Sequence, residues 1–375
     1  HNVLWIDTPD NFRRMLDTLS RHSLVAVDTE SDSLYSYYEK VCLIQFSVPG
    51  VDYLVDPLAI DVSDLAGLFA TSAIQKIFHA AEYDFLSLKR DYGFQFSNLF
   101  DTMVAARILG WPRYGLASLL AEHFGVQLNK RFQRYNWGRR PLSQKALDYA
   151  HLDTHYLIPL RQTQLEALKK QNRLREANEA WERLTRVEPT PKIFNPDDFW
   201  RIKSARELSA RQQAVLRSLF ILRDQIARHL NRPPFKVMTD KVLIELARFQ
   251  PQSPSELSQI KGVGSRLLHH NGHEILEAIQ AGQSAPPPRQ RLNKNHQKPD
   301  SLTMLRYESL RQWRNDLAAQ RGVEPDVIIS NQTLMDIARY NPQTLQNLNQ
   351  LGVLGDWQRE TYGHTLLNVL KAAVI

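Results

Sequence analysis

A set of residues between Arg223 and Leu276 returns, in order and without a gap, 91 positions further along the chain. Arg223, Ala227, Pro234, Leu243, Ala247 and Arg248 reappear as Arg314, Ala318, Pro325, Leu334, Ala338 and Arg339. Pro251, Leu257, Gly264, Gly272, His273 and Leu276 reappear as Pro342, Leu348, Gly355, Gly363, His364 and Leu367. Chance at these compositions would supply about 3–4 identities. A constant offset therefore means a duplicated structural unit. Strand-like runs stop near residue 200, so the units are expected to be small all-helical domains, 205–282 and 301–375. Each is large enough to fold alone, though marginal in core. Between them, "QSAPPPRQRLNKNHQKPD", residues 283–300, reads as a linker. Its Arg289, Arg291, Lys294 and Lys298 make it positive.

Residues 1–190 have a different character and read as α/β. "SLVAVDT", "KVCLIQFS" and "DYLVDP" are closely spaced strand signals, expected to form an antiparallel meander. "IQKIFHA" is a fourth strand. "EYDFLSLKRDYG", "DTMVAARILG" and "GLASLLAEHFG" read as helices that stop at glycine. "SQKALDYAHLDTHYLIPLRQTQLEALKKQ" is a long amphipathic stretch with Ser143 as N-cap, expected to kink or divide at Pro159. The three prolines of 186–198 mark a domain boundary.

The chain has 375 residues with a net charge of +7, a basic excess that suits a polyanionic partner. Cys42 is the only cysteine, which excludes an intrachain disulfide and a cysteine-based zinc site and fits a cytoplasmic location. No apolar run approaches the ~18–20 residues of a membrane span, so no membrane association is expected. "HNVLWIDTPDNFRRML" is too polar for a signal peptide.

The first strand ends in acid. Asp28 and Glu30 sit two apart, and on a strand such residues share a face. Two carboxylates so close resist joint ionisation unless a cation intervenes. A solvated strand end is the plain alternative. Asp84 follows the fourth strand at the start of a helix, where a simple N-terminal acid is also favoured. Tyr149 and Asp153 are four apart on a helix, hence on one face; an ordinary half-buried tyrosine above an exposed acid has the same spacing. In "NKRFQRYNWGRR", residues 129–140, Lys130, Arg131, Arg134, Arg139 and Arg140 alternate with Phe132, Tyr135 and Trp137 without an acid. Cations with aromatic faces suit single-stranded nucleic acid, whereas a basic loop with its aromatics turned inward is the alternative.

Taken together, Asp-x-Glu on a strand, Asp at a strand-to-helix turn and Tyr-x-x-x-Asp on a late helix resemble the DEDDy subclass of the DEDD exonucleases. The histidine subclass is not matched, because Asp148 occupies the position its histidine needs. "NWGRRPLSQKALDYAHLDTHYL", "FHAAEYD" and "FDTMVAARIL" resemble the ribonuclease D family, and the duplicated helical units resemble HRDC domains. The resemblance implies an RNase H-like mixed-sheet exonuclease domain over 1–190, followed by two HRDC-like domains. It implies two divalent ions, Mg²⁺ or Mn²⁺, held by Asp28, Glu30, Asp84 and Asp153, with Asp28 bridging. Tyr149 is expected to orient the attacking water. Leu34 and His79 are expected to contact substrate, together with Lys130, Arg131, Arg134 and Arg140.

The implied activity is removal of nucleoside 5′-monophosphates from RNA 3′ ends, with tRNA precursors and small structured RNAs as substrates, by a monomer. A DNA 3′–5′ exonuclease of the same superfamily is the first alternative. A non-catalytic nucleic-acid-binding protein is the second, and the presence of all five key residues weighs against it. The second HRDC-like copy carries Asp356 beside its glycine turn, so the first copy is favoured as the RNA contact.

Overall fold

The computed structural model describes residues 2–289 and 299–373. Arg291, Lys294 and Lys298 of the linker lie outside the described residues.

The N-terminal region builds a six-stranded mixed sheet. Its strands are β1 (Asn2–Ile6), β2 (Leu24–Ser31), β3 (Val41–Val48), β4 (Val51–Val55), β5 (Gln75–Phe78) and β6 (Leu99–Asp101), in spatial order β1-β4-β3-β2-β5-β6. β3 and β4 pair antiparallel through the Pro49–Gly50 turn, where Gly50 takes φ +93°. β1 pairs parallel with β4, β2 with β5, and β5 with β6. The expected strands are all present, and β2, β3 and β4 are neighbours. β1 and β6 are additions that the sequence did not signal. β1 is exposed along three of its five residues, and β6 has only three residues, too short for a periodic pattern.

Every residue of β3 is buried, as a strand covered on both faces should be. Phe46, Phe69, Phe78, Phe85, Phe96 and Phe100 pack the sheet against its helices, with Phe85 and Phe96 stacked at 3.9 Å. The 143–171 stretch is helical but divides into Gln144–Ala150, Leu152–His155 and Leu157–Lys170. Ser143 caps the first by accepting from Ala146 N at 3.3 Å. The breaks fall at His151 and Tyr156. Pro159 instead sits inside the first turn of the third helix, where its missing N–H costs nothing.

Beyond residue 200 the described chain is helical. The repeated residues do the same work in each copy. Arg223 is buried and donates to Met238 O (3.1 Å) and Asp240 (2.6 Å); Arg314 is buried and donates to Ile329 O (3.0 Å) and Asn331 (2.7 Å). Both groups of partners are again 91 residues apart. Gln250 and Asn341, each preceding a repeated proline, both end their helices in the left-handed region.

Two compact units result. One combines most of the first 189 residues with the second repeat. The other combines the short segment 31–40 with the chain from residue 190 through the first repeat. In the latter, Tyr37 donates its hydroxyl to Asp224 at 2.7 Å, and the amides of Tyr37 and Tyr38 donate to Asn231 at 3.1 and 3.0 Å. The first repeat's helix Ser265–Ser284 extends into the start of the expected linker. No helix among the described residues is long and apolar enough to cross a membrane.

Candidate active site

β2 delivers Asp28 and Glu30 from one face of its C-terminal end, as the i, i+2 spacing requires. Asp153 comes from the Leu152–His155 turn. Carboxylate oxygens of Asp28, Glu30 and Asp153 all lie within 4.8 Å of one another. Asp84, third residue of the Glu82–Tyr92 helix, joins through Thr29, whose hydroxyl donates to the Asp84 carboxylate. Asp84 and Asp153 are buried, whereas Asp28 and Glu30 are half-buried.

Two buried aspartates outside this group hold it in place. Asp101 accepts from the amides of Ala80 (3.2 Å) and Ala81 (2.7 Å), fixing the turn that aims Asp84. Ala80 has φ +63° in that turn, an unusual conformation for a residue with a Cβ. Asp101 also caps the Thr102–Leu109 helix through Met103 N (2.8 Å) and Val104 N (3.0 Å). On the other side, Asp52 of β4 accepts from His151 Nδ1 (3.1 Å) and His155 Nδ1 (2.9 Å), and from Ser47 Oγ (2.5 Å). These bonds pin both sides of Asp153.

Tyr149 and Asp153 lie on consecutive short helices rather than on one continuous helix, yet they still meet, and the hydroxyl hydrogen-bonds the carboxylate. The Tyr149 ring is stacked on Phe132 (5.3 Å) and lies 6.3 Å from Trp137.

Burial, and then the neighbouring carboxylates, raise the proton affinities of the four acids. Loss of water raises Asp28 well above the carboxylate range, with Asp153 adding to it and the Thr29 amide opposing. Glu30 is raised by burial and then by Asp28, Asp153 and Asp84. Asp84 is raised by burial and Asp28, against the Thr29 hydroxyl. Burial pushes Asp153 up to about 7, with the Tyr149 hydrogen bond opposing and Asp84 adding. Tyr149 is itself raised by burial and then by the neighbouring carboxylates, so its hydroxyl keeps its proton. Four hard oxygen donors that repel one another are the donor set a divalent ion such as Mg²⁺ or Mn²⁺ prefers. The residues present fit such ions.

The expected substrate contacts divide. Arg131 and Arg134 are exposed on the single 3₁₀ turn Lys130–Arg134, which places Phe132 on Tyr149. The Lys130 side chain lies outside the described residues. Arg140 departs from the expectation. Its guanidinium donates to Asp56 twice at 2.6 Å, to Cys42 O at 2.7 Å and to Trp137 O at 2.7 Å. It is an internal brace, because Asp56 is buried and needs a partner. The interleaved aromatics also turn inward, with Trp137 at 1% exposure. His79 bonds Thr102 through Nδ1 at 2.9 Å, and burial lowers its pKa, with Asp101 opposing. Leu34 is 39% exposed on the segment grouped with the first repeat. Sequence reasoning missed Thr29, Asp52, His151 and His155 as supports. The only signal was the pair of histidines four apart around Asp153, which would share a helical face.

Comparison with known proteins places this geometry. Residues 3–169 match the family described as 3′-5′ exonuclease, and residues 212–279 and 305–370 each match the HRDC domain. The class is thus a 3′–5′ exonuclease with two HRDC domains. The ribonuclease D of Gluconacetobacter diazotrophicus is 28% identical over 372 residues, covering 96% of this chain and 91% of that protein. The exosome complex exonuclease RRP6 of Saccharomyces cerevisiae is 32% identical over 264 residues, 66% of this chain; the chain spans 36% of that protein's length. The crystal structure of Escherichia coli RNase D superposes with a TM-score of 0.68 at 25% identity, covering 99% of both chains. The chain thus joins a 3′-5′ exonuclease domain to two HRDC domains, and over 96% of its length it is similar to ribonuclease D.

Proposed function

We propose that this chain removes nucleotides one at a time from single-stranded 3′ ends of structured RNA, tRNA precursors among them, releasing nucleoside 5′-monophosphates. The observation that carries this reading is the convergence of Asp28, Glu30 and Asp153 oxygens within 4.8 Å, with Asp84 tied in by Thr29 and Tyr149 bonded to Asp153. The ribonuclease D name of a relative spanning 96% of the chain supports RNA over DNA.

Asp28, Glu30, Asp84 and Asp153 would hold two divalent ions, Mg²⁺ or Mn²⁺. When bound, such ions acidify the attacking water and stabilise charge on the attacking and leaving oxygens. The chain's own residues supply the frame. Asp101 and Asp52 hold Asp84 and Asp153 rigidly, which keeps reacting groups in register. The Tyr149 hydroxyl donates a hydrogen bond to Asp153 and would orient the attacking water, while Phe132 fixes its ring. Arg131 and Arg134, on the turn carrying Phe132, are placed to meet the phosphates that follow the terminal nucleotide.

The test is a 5′-labelled RNA with a single-stranded 3′ tail and its DNA counterpart, each with Mg²⁺, Mn²⁺ or EDTA, beside Asp28→Asn. A metal-dependent ladder of single-nucleotide steps on RNA, absent in the variant, supports the proposal. Faster shortening of DNA replaces it with a DNA exonuclease. Tight RNA binding without shortening under any metal leaves a binding protein.

A further inference from the structure

The two repeats keep the same residues inside, yet treat one outer face differently. In the second repeat that face is covered by the exonuclease domain's own Leu174–Thr185 helix. Glu179 of this helix accepts from the amides of Trp357 (2.6 Å) and Gln358 (3.2 Å), in the first turn of the Asp356–Ala372 helix. Glu176, three residues earlier, accepts from Arg321 at 2.5 Å. Arg183, one turn later, donates to Gln358 at 3.0 Å. The Glu179 carboxylate sits so close that a Cβ at Gly355 would collide with it. A side chain there would push the carboxylate off these amides.

Among the described residues no helix covers the matching face of the first repeat, where only the Tyr35 ring is seen against Lys236, 3.6 Å from its Nζ. Gly264 corresponds to Gly355, and a Cβ built there meets nothing within 4 Å. Arg232, Lys236 and Arg266 are exposed, where their counterparts Val323, Val327 and Trp357 are half-buried. Here lies a cavity of about 710 Å³. Leu222, Ile226, Val237 and Leu267 give it an apolar floor, Ile226 buried and the other three half-buried, and the three cations stand around it. The 20-residue helix Ser265–Ser284 begins at this cavity, and no side chain among the described residues caps its N-terminus. Its first amides are unpaired within the helix, like those Glu179 meets in the other copy.

We infer that this groove is a docking site for an acidic amphipathic helix from a partner protein. One of its carboxylates would sit on the amides of Arg266 and Leu267 as Glu179 sits on those of Trp357 and Gln358. The second repeat shows what the duplicated face binds: a helix with carboxylates three residues apart and an apolar side. The first repeat replaces two valines and a tryptophan of that face with three cations, so its occupant is the more acidic. An RNA backbone would satisfy the cations but leave the four apolar side chains wet; an acidic amphipathic helix covers both.

The test uses the full chain and a fluorescein-labelled, helix-stapled peptide of sequence LREANEAWERLT, the chain's own residues 174–185. Saturable binding by anisotropy is expected. It should weaken at least about tenfold in K236E/R266E and in Gly264→Leu, with melting temperatures unchanged. The same peptide with Glu179→Gln should also bind at least about fivefold less tightly. Absence of binding, or binding that survives all these changes, overturns the inference. So does a ten-nucleotide single-stranded RNA whose affinity falls in K236E/R266E while the peptide's does not, since the groove is then a nucleic-acid site.

Discussion

His155 Nδ1 lies 2.9 Å from Asp52 Oδ2, an oxygen it shares with His151 at 3.1 Å. Asp52 is on the sheet and both histidines flank Asp153, so this contact couples the sheet to one of the four site carboxylates. Asp52 is fully buried and reaches no substrate-facing surface. It is a positioning residue. Asp52→Leu should reduce kcat by about 10²-fold, the effect of misplacing a reacting group by about 1 Å, while KM for RNA stays within about threefold. A purely structural role would lower the melting temperature and leave the kcat of the folded fraction intact. Active-site titration alongside calorimetry separates the two outcomes.

Tyr149 permits a cleaner excision. Its ring is held by Phe132 and Trp137, and only its hydroxyl touches Asp153. Tyr149→Phe should keep the stacking and the melting temperature while reducing kcat by about 10²–10³-fold. Tyr149→Ala should add a destabilisation of about 3 kcal/mol through the vacated ring volume. If Tyr149→Phe retains full activity on RNA in single-turnover assays, the hydroxyl has no part in the reaction.

Much of this was legible in the sequence, for reasons that differ by residue. Asp28 and Glu30 declare a shared face because strand periodicity is exact enough at two residues. The Arg223 and Arg314 counterparts declare a duplication because a buried guanidinium with fixed carbonyl partners tolerates no drift in spacing. Arg140 misleads. In a run of basic residues nothing local tells a phosphate-binding arginine from one whose partner, Asp56, is 84 residues away. The division at His151 is hidden for a similar reason. Asp52 and Ser47 draw that turn onto the sheet, and such tertiary pull leaves no trace in helix periodicity. β6 and β1 give no signal because their pairing partners, not their own composition, make them strands.

The four acids predict an unusual pH dependence for metal-free protein. Each has a folded-state pKa above its ordinary value, so the folded state binds more protons than the unfolded chain. Stability then falls as pH rises, for Asp153 between its ordinary 3.8 and about 7. The upper bound for that one group is about 4 kcal/mol. In EDTA, Asp153→Asn should melt higher than the parent at pH 8, and the gap should close toward pH 4. Saturating Mg²⁺ should raise the parent's melting temperature at pH 8 much more than the variant's. A gap that is flat with pH would show that Asp153 is not raised in the free protein.

Arg140 and the pair Arg131/Arg134 should separate stability from binding, although one basic segment carries all three. Arg140→Ala removes the cation paired with buried Asp56 together with the bonds to Cys42 O and Trp137 O, leaving the carboxylate the Leu58 amide at 3.0 Å. The expected destabilisation is about 3 kcal/mol, at the low end for a broken buried pair because the arginine side chain is 26% exposed. Arg131→Ala/Arg134→Ala falls on an exposed turn and should cost less stability than Arg140→Ala. Its effect belongs on RNA: binding should weaken, and the slope of log Kd against log salt should fall by about 0.7 for each phosphate that the variant no longer neutralises. Urea melts and salt titrations of the two variants decide it. A double variant with unchanged salt slope would remove these arginines from the RNA path, and an Arg140→Ala protein as stable as the parent would remove Asp56 from the account of the fold.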